Sequence, residues 1–202
     1  MKVIVLPRSR MKALVAGVPF PEMGVFFVSR EPVRNTEPVR VFAEVRAALK
    51  KTFPGDVISG SLSVNVENRF AIASCPAGLG AVAESAISEV YDYDPVRYQA
   101  MVIGLVAPPG ETPVHWIARR VNPEERIIAV LPTPPALSEG VEVHPYPRGY
   151  LGDPNTLMAL GRLFKGRAAT AVDRVGLVLA ATDGVELARE LKSSLRPREP
   201  LE

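Results

Sequence analysis

The chain of 202 residues has little of what most site chemistries require: one cysteine, two histidines, one tryptophan and a single glutamine, Gln99. A lone thiol, Cys75, cannot close an internal disulfide, which fits a reducing compartment and a cytoplasmic protein. With no clear basic partner nearby, Cys75 is expected to be a core or loop residue and not a nucleophile. No apolar run approaches the length of a membrane span, and the first residues are too short an apolar stretch for a secretory signal. The formal charge is only +2 and the basic residues are scattered, so no electrostatic footprint for nucleic acid is present. What the chain does have is 47% hydrophobic residues, enough to fill the core of one ordinary domain. It also has 20 prolines and more arginine than lysine, a bias compatible with a thermophilic source.

Hydrophobic periodicity places most of the elements. Residues 41–53 read as an amphipathic helix, and residues 57–74 as two antiparallel strands joined by a polar turn at Glu67-Asn68. Residues 108–135 read as a loop, a helix, a second loop and a buried strand entering a proline-stiffened turn. Pro113 suits the first helical turn, where a missing N–H costs nothing, and Glu111 beside it suits the positive end of the helix dipole. Val114, Ile117, Ala118 and Val121 form the apolar stripe, the helix ends near Asn122-Pro123, and residues 126–131 read as a strand buried on both faces. Residues 155–164 read as a helix, 173–180 as a buried strand and 184–195 as a closing helix. Within residues 1–37 three β-rich runs, KVIVL, KALVAGV and GVFFVS, look like added strands of an N-terminal extension. Residues 196–202 form a proline-broken charged tail, expected to be mobile. No linker divides the chain in two.

The wording of residues 108–135 resembles the class II aldolase/adducin family. There a "PSSE" loop starts a helix containing "xxLHxxIYxxxP", and a strand ends in "AVVHTHPP". Here Pro108-Pro109-Gly110-Glu111 stands for the first motif, Val114-His115 and the run from Arg119 to Pro123 for the second, and Pro132-Thr133-Pro134-Pro135 for the third. The likeness extends over residues 38–195. Residues 57–74 resemble the family's "GLtxGxxGNxSxR…FLITPSG", residues 83–91 take the place of its "dLVxVD", and Val175-Gly176 stands where a third zinc histidine and its glycine would be. The resemblance implies an α/β, three-layer fold with a central, mainly antiparallel sheet flanked by helices. It also implies a homo-oligomer, tetramers included.

The family's chemistry needs three neutral imidazoles holding Zn²⁺ with an open position, so that the metal stabilises an enediolate. Each ligand must offer a lone pair, and Pro132, Pro134 and Val175 offer none. No zinc, and no other cofactor, is therefore expected. The remaining histidines, His115 and His144, are expected to be a hydrogen-bonded helix residue and a surface or interface residue. The phosphate-binding motifs are altered as well, because Pro76 and Pro109 each remove a backbone donor. Gly60, Ser61, Ser63, Ser74 and the Gly110 N–H are left as candidate contacts to a small anion, with ordinary turn hydrogen bonding the competing account of the serines. Glu111 is the family's acid/base position that survives; capping the helix N-terminus is its structural alternative. Two readings follow. One is a protein that has lost aldolase activity and binds a small molecule or assembles. The other is a diverged, metal-independent or re-sited lyase or isomerase acting on a small carbonyl or sugar-phosphate compound, with Glu111 as acid/base.

Overall fold

The computed structural model describes residues 22–54, 58–132, 134 and 136–196. Nine strands make one sheet: β1 (Gly24–Ser29), β2 (Gly60–Val66), β3 (Arg69–Cys75), β4 (Ile87–Asp94), β5 (Gln99–Gly104), β6 (Ile127–Leu131), β7 (Val143–His144), β8 (Ala169–Val172) and β9 (Gly176–Ala181). Their order across the sheet is β1-β5-β4-β3-β2-β6-β9-β8-β7. Only the two edge pairs, β1 with β5 and β7 with β8, are parallel. Among the described residues four α-helices cover the faces: α1 (Thr36–Thr52), α2 (Thr112–Val121), α3 (Pro154–Phe164) and α4 (Gly184–Ser194).

The sheet is buried on both sides, so there are two cores. Val41, Phe42 and Val45 of α1 and Leu187, Ala188 and Leu191 of α4 pack on one face, against Leu62, Val64, Ala129 and Leu179. Val114, Ile117 and Ala118 of α2 and Leu157, Leu160 and Phe164 of α3 pack on the other, against Phe70, Ile72, Ile128 and Val178. Along β6 alternate side chains enter opposite cores, which is why this strand reads as a continuous apolar run. This is the three-layer architecture that the resemblance implied.

Several boundaries differ from the sequence reading, each for a local reason. Helix α1 begins at Thr36 instead of residue 41, because the Asn35 side chain accepts from the Glu37 N–H and Pro38 sits in the first turn, where no intrahelical donor is needed. The strand expected at 173–180 starts at Gly176; Asp173 to Val175 form the turn that joins it to β8, with Arg174 at φ 63°. The GVFFVS run is a strand, paired parallel to β5 at one edge of the sheet. The runs KVIVL and KALVAGV, and the tail beyond Arg196, lie outside the described residues. Cys75 is buried at the end of β3, and burial pushes its thiol up to about 12, consistent with an inert core residue.

Candidate functional site

One row of the sheet gathers most of the positions singled out in the sequence. Ser74 of β3 pairs with Ser61 of β2, Ser61 with Val130 of β6, and Leu131 of β6 with Leu177 of β9. Gly60, Ser74, Pro132 and Gly176 therefore lie together along one rim. The backbones there are so close that only glycine fits. A Cβ on Gly60 would come to 2.4 Å from the Val130 carbonyl oxygen. One on Gly176, at φ +96°, would come to 1.9 Å from the Leu131 carbonyl oxygen. Gly60 is thereby accounted for by strand packing alone.

Helix α2 is tied to β2 at two levels. His115 is completely buried, and its ring lies between two serines of β2 that share one face: Nε2 is 2.8 Å from Ser61 Oγ and Nδ1 is 2.8 Å from Ser63 Oγ. One ring N–H donates to a serine and the other nitrogen accepts from a hydroxyl. Burial pushes the imidazole down to about 3, so it is neutral across the physiological range. One turn on, Arg119 donates from Nε to Asn65 Oδ1 at 2.9 Å and from its two terminal nitrogens to the carbonyls of Glu67 and Asn68. Its guanidinium lies 5.3 Å from the centroid of the Phe70 ring.

These contacts redistribute the expected site residues. The hydroxyls of Ser61 and Ser63 face His115 inside the core and not a ligand at the surface. Although nucleophile, base and orienting group stand in hydrogen-bonding sequence there, a serine 1% exposed beside a base this weak cannot reach a substrate. Ser74 is exposed on the rim, and Gly110 faces open space. The alternating serines of an otherwise apolar strand, facing a histidine on the next helix, were the signal that could have revealed the Ser–His–Ser group.

Glu111 occupies the N-cap of α2 but makes no capping bond. Its φ and ψ, −77° and 0°, lie outside the extended region from which a cap side chain reaches the N2 and N3 amides, so the capping account of Glu111 is corrected. The Pro109 carbonyl takes the Thr112 N–H and hydroxyl instead. Glu111 is half-buried, and burial holds its carboxyl above the usual range, partly offset by a bond from its own N–H.

The side chains present do not fit a zinc ion of the kind the resemblance implies. Pro132 is half-buried on the rim, Val175 is buried in the α2/α3 core, and neither has a lone pair to give. His115 has both nitrogens engaged. His144 lies on β7 at the far edge of the sheet, with Nε2 2.7 Å from an Arg167 guanidinium nitrogen. Among the described residues no three histidine, cysteine, aspartate or glutamate side chains stand close enough to share a metal.

Solved structures of class II aldolases are similar to this chain in fold. An L-fuculose 1-phosphate aldolase matches with a TM-score of 0.54 at 17% identity, over 79% of this chain and 82% of its own. The chain has the class II aldolase fold. An aldolase II superfamily protein from Pseudomonas syringae matches at 0.53 and 14% identity, over 80% of this chain and 73% of its own. A sugar-phosphate aldolase from Thermotoga maritima matches at 0.52 and 14% identity, over 76% of this chain and 90% of its own. No family model and no curated sequence matches the chain. Identities this low speak for the fold; the chemistry has to be argued from the side chains.

Proposed function

We propose that this class II aldolase-fold protein has left zinc-dependent carbon–carbon lyase chemistry and acts by binding a small molecule, as a homo-oligomer. The observation that carries the reading is the set of side chains on and beneath the rim. Proline and valine stand where lone pairs are needed, while the histidine that remains on α2 is locked between Ser61 and Ser63. Assembly is supported by exposed apolar side chains, with Leu105 and Val106 just ahead of the Pro108 loop and Val28 on the edge strand. A cytoplasmic setting belongs to the same proposal. No helix among the described residues is long and apolar enough to cross a membrane.

Elemental analysis of untagged protein after exposure to excess zinc and desalting tests the reading. The expected result is metal well below one equivalent. One equivalent of zinc, lost on replacing Glu111 or His115, would overturn it. Sedimentation of the same sample reads the assembly; a monomer at all concentrations would remove that part. The second reading, a metal-independent lyase or isomerase, is favoured by one observation only, the half-buried Glu111 carboxyl held above its usual range. It predicts turnover of a small hydroxycarbonyl compound that Glu111→Gln abolishes while the fold stays intact.

A further inference from the structure

The two ends of the nine-stranded sheet are finished differently. At one, β7 is two residues long, with the Arg167 guanidinium against the His144 imidazole, so it offers little edge to another strand. At the other, β1 runs for six residues, GVFFVS, without a charge or a proline. Among the described residues its one ladder is the parallel one to β5. Apart from the bulge after Phe27, the devices that keep an edge strand from pairing are missing along it. The ladder fixes which backbone groups are left over. The Gly24 N–H donates to the Tyr98 carbonyl at 2.9 Å, and Gly24, Val25, Phe26 and Phe27 stand opposite Gln99, Ala100, Met101 and Val102 in unbroken register. In a parallel pair alternate residues turn their amide and carbonyl to the neighbour. Gly24 and Phe26 therefore face β5, whereas Val25 and Phe27 each present an N–H and a C=O away from the sheet.

Side chains at this edge are unspent as well. Val25 and Phe27 pack on the α2/α3 core, but Phe26, on the opposite face, is half-buried and belongs to neither core. Exposed apolar side chains gather beside it, with Val28 on β1 and Leu105 and Val106 just beyond the end of β5. The flanks of the strand carry opposite charges. Glu22 before it and Arg30 after it are both exposed, and neither forms an ion pair among the described residues; Arg30 rests over the Phe27 ring, 4.3 Å from its centroid. A second β1 added parallel would set like charge beside like. Added antiparallel, it sets Glu22 beside Arg30 at both ends.

We propose that β1 pairs antiparallel with β1 of a second copy of this chain, across a twofold axis at Phe26, joining two nine-stranded sheets into one. In that register Val25 exchanges both outward backbone bonds with Phe27 of the second copy, and the two Phe26 side chains meet at the axis. Val28 lies over the other Gly24, and Glu22 reaches the other Arg30. The contact is the same patch on both copies, as a closed dimer requires. The inference rests on the homo-oligomer reading and names its surface.

Sedimentation of the full chain tests the pairing. Glu22→Arg and Arg30→Glu should each weaken this contact about tenfold, since each sets like charges together at both ends, and the double variant should restore the parent affinity. Mild oxidation gives a second readout, because the native Cys75 is buried. Phe26→Cys should cross-link two copies, as residues opposite each other in a non-hydrogen-bonded pair have Cα atoms about 4.5 Å apart. Gly24→Cys should not, since Gly24 stands opposite Val28 and far from its own copy; a Cβ there meets only ordinary contacts. An oligomer unmoved by either charge variant, a double variant no better than the single ones, or cross-linking at Gly24 and not at Phe26 would each overturn the proposal and leave the homo-oligomer reading standing. A monomer at every concentration would remove both.

Discussion

Glu111 and His115 stand one turn apart on the same helix and meet opposite fates. The histidine is sealed in the core, with a serine on each ring nitrogen; the glutamate is half-buried, and among the described residues its carboxyl has no partner but its own amide. Both are displaced from their ordinary proton affinity by burial, in opposite directions, because burial favours the neutral form of each. For His115 the neutral form is also the one its hydrogen bonds need. For Glu111 only its own N–H rewards the charged form, and no other residue among those described bonds the carboxyl. A shifted proton affinity thus marks structure when its partners are complete and points to function when they are missing.

The largest effect should come from breaking the satisfied member. Replacing His115 with alanine leaves two buried hydroxyls unpaired and a cavity, a loss on the order of 3 kcal/mol or more, or roughly 10 °C in Tm for a domain of this size. Thermal unfolding at neutral pH reads it directly, and a fall of a degree or two would mean that the Ser–His–Ser group is slack.

Acid should also act on that group. The folded imidazole sits at about 3, against 6.5 for an ordinary histidine, so the unfolded chain takes up the proton first. Its contribution is complete above pH 6.5 and is lost as the pH falls towards 3, at about 1.4 kcal/mol per pH unit. Denaturant unfolding at a series of pH values should show a steeper acid decline for the parent than for His115→Gln. Parallel curves would contradict a buried neutral histidine.

Smaller, and of opposite sign, is the effect expected at Glu111. Its folded proton affinity is raised, so its charge costs stability that grows as the pH rises above the ordinary carboxylate range and is absent below it. Glu111→Gln should therefore melt at or slightly above the parent at pH 8 and show no gain at pH 4; a lower Tm at pH 8 would mean that the carboxylate has a structural partner. Smallest of all, Ser74→Ala on the exposed rim should shift stability by no more than about 0.5 kcal/mol.

The sequence made α2, β6, α4 and the β2–β3 hairpin legible because each carries its own period and its own stop signals, such as Pro113, Asn122-Pro123 and Glu67-Asn68. Strand β8 was missed because four residues, ATAV, are too few to show alternation, and β5 because its run follows a turn holding the bulky Tyr98 at positive φ. The expectation that Pro132, Pro134 and Val175 stand where zinc ligands would be came from the likeness of motifs alone. The ring pairs could not be read from the sequence, since Tyr93 meets Trp116 across β4 and α2, and Tyr98 meets Tyr150 across the β4–β5 turn and the loop of residues 146–152. Likewise nothing in the spacing of Ser61, Ser63 and His115 says that their polar atoms satisfy one another. That follows from the rotation of α2 about its axis, which only packing sets.

That rotation is fixed twice. His115 bolts the first half of α2 to the middle of β2, and Arg119 bolts the second half to the β2–β3 turn. A rod held at two points can neither roll nor slide without shearing both fastenings, so α2 and the hairpin must travel as one piece. The start of the helix, where Glu111 stands, thus keeps a fixed position relative to β2.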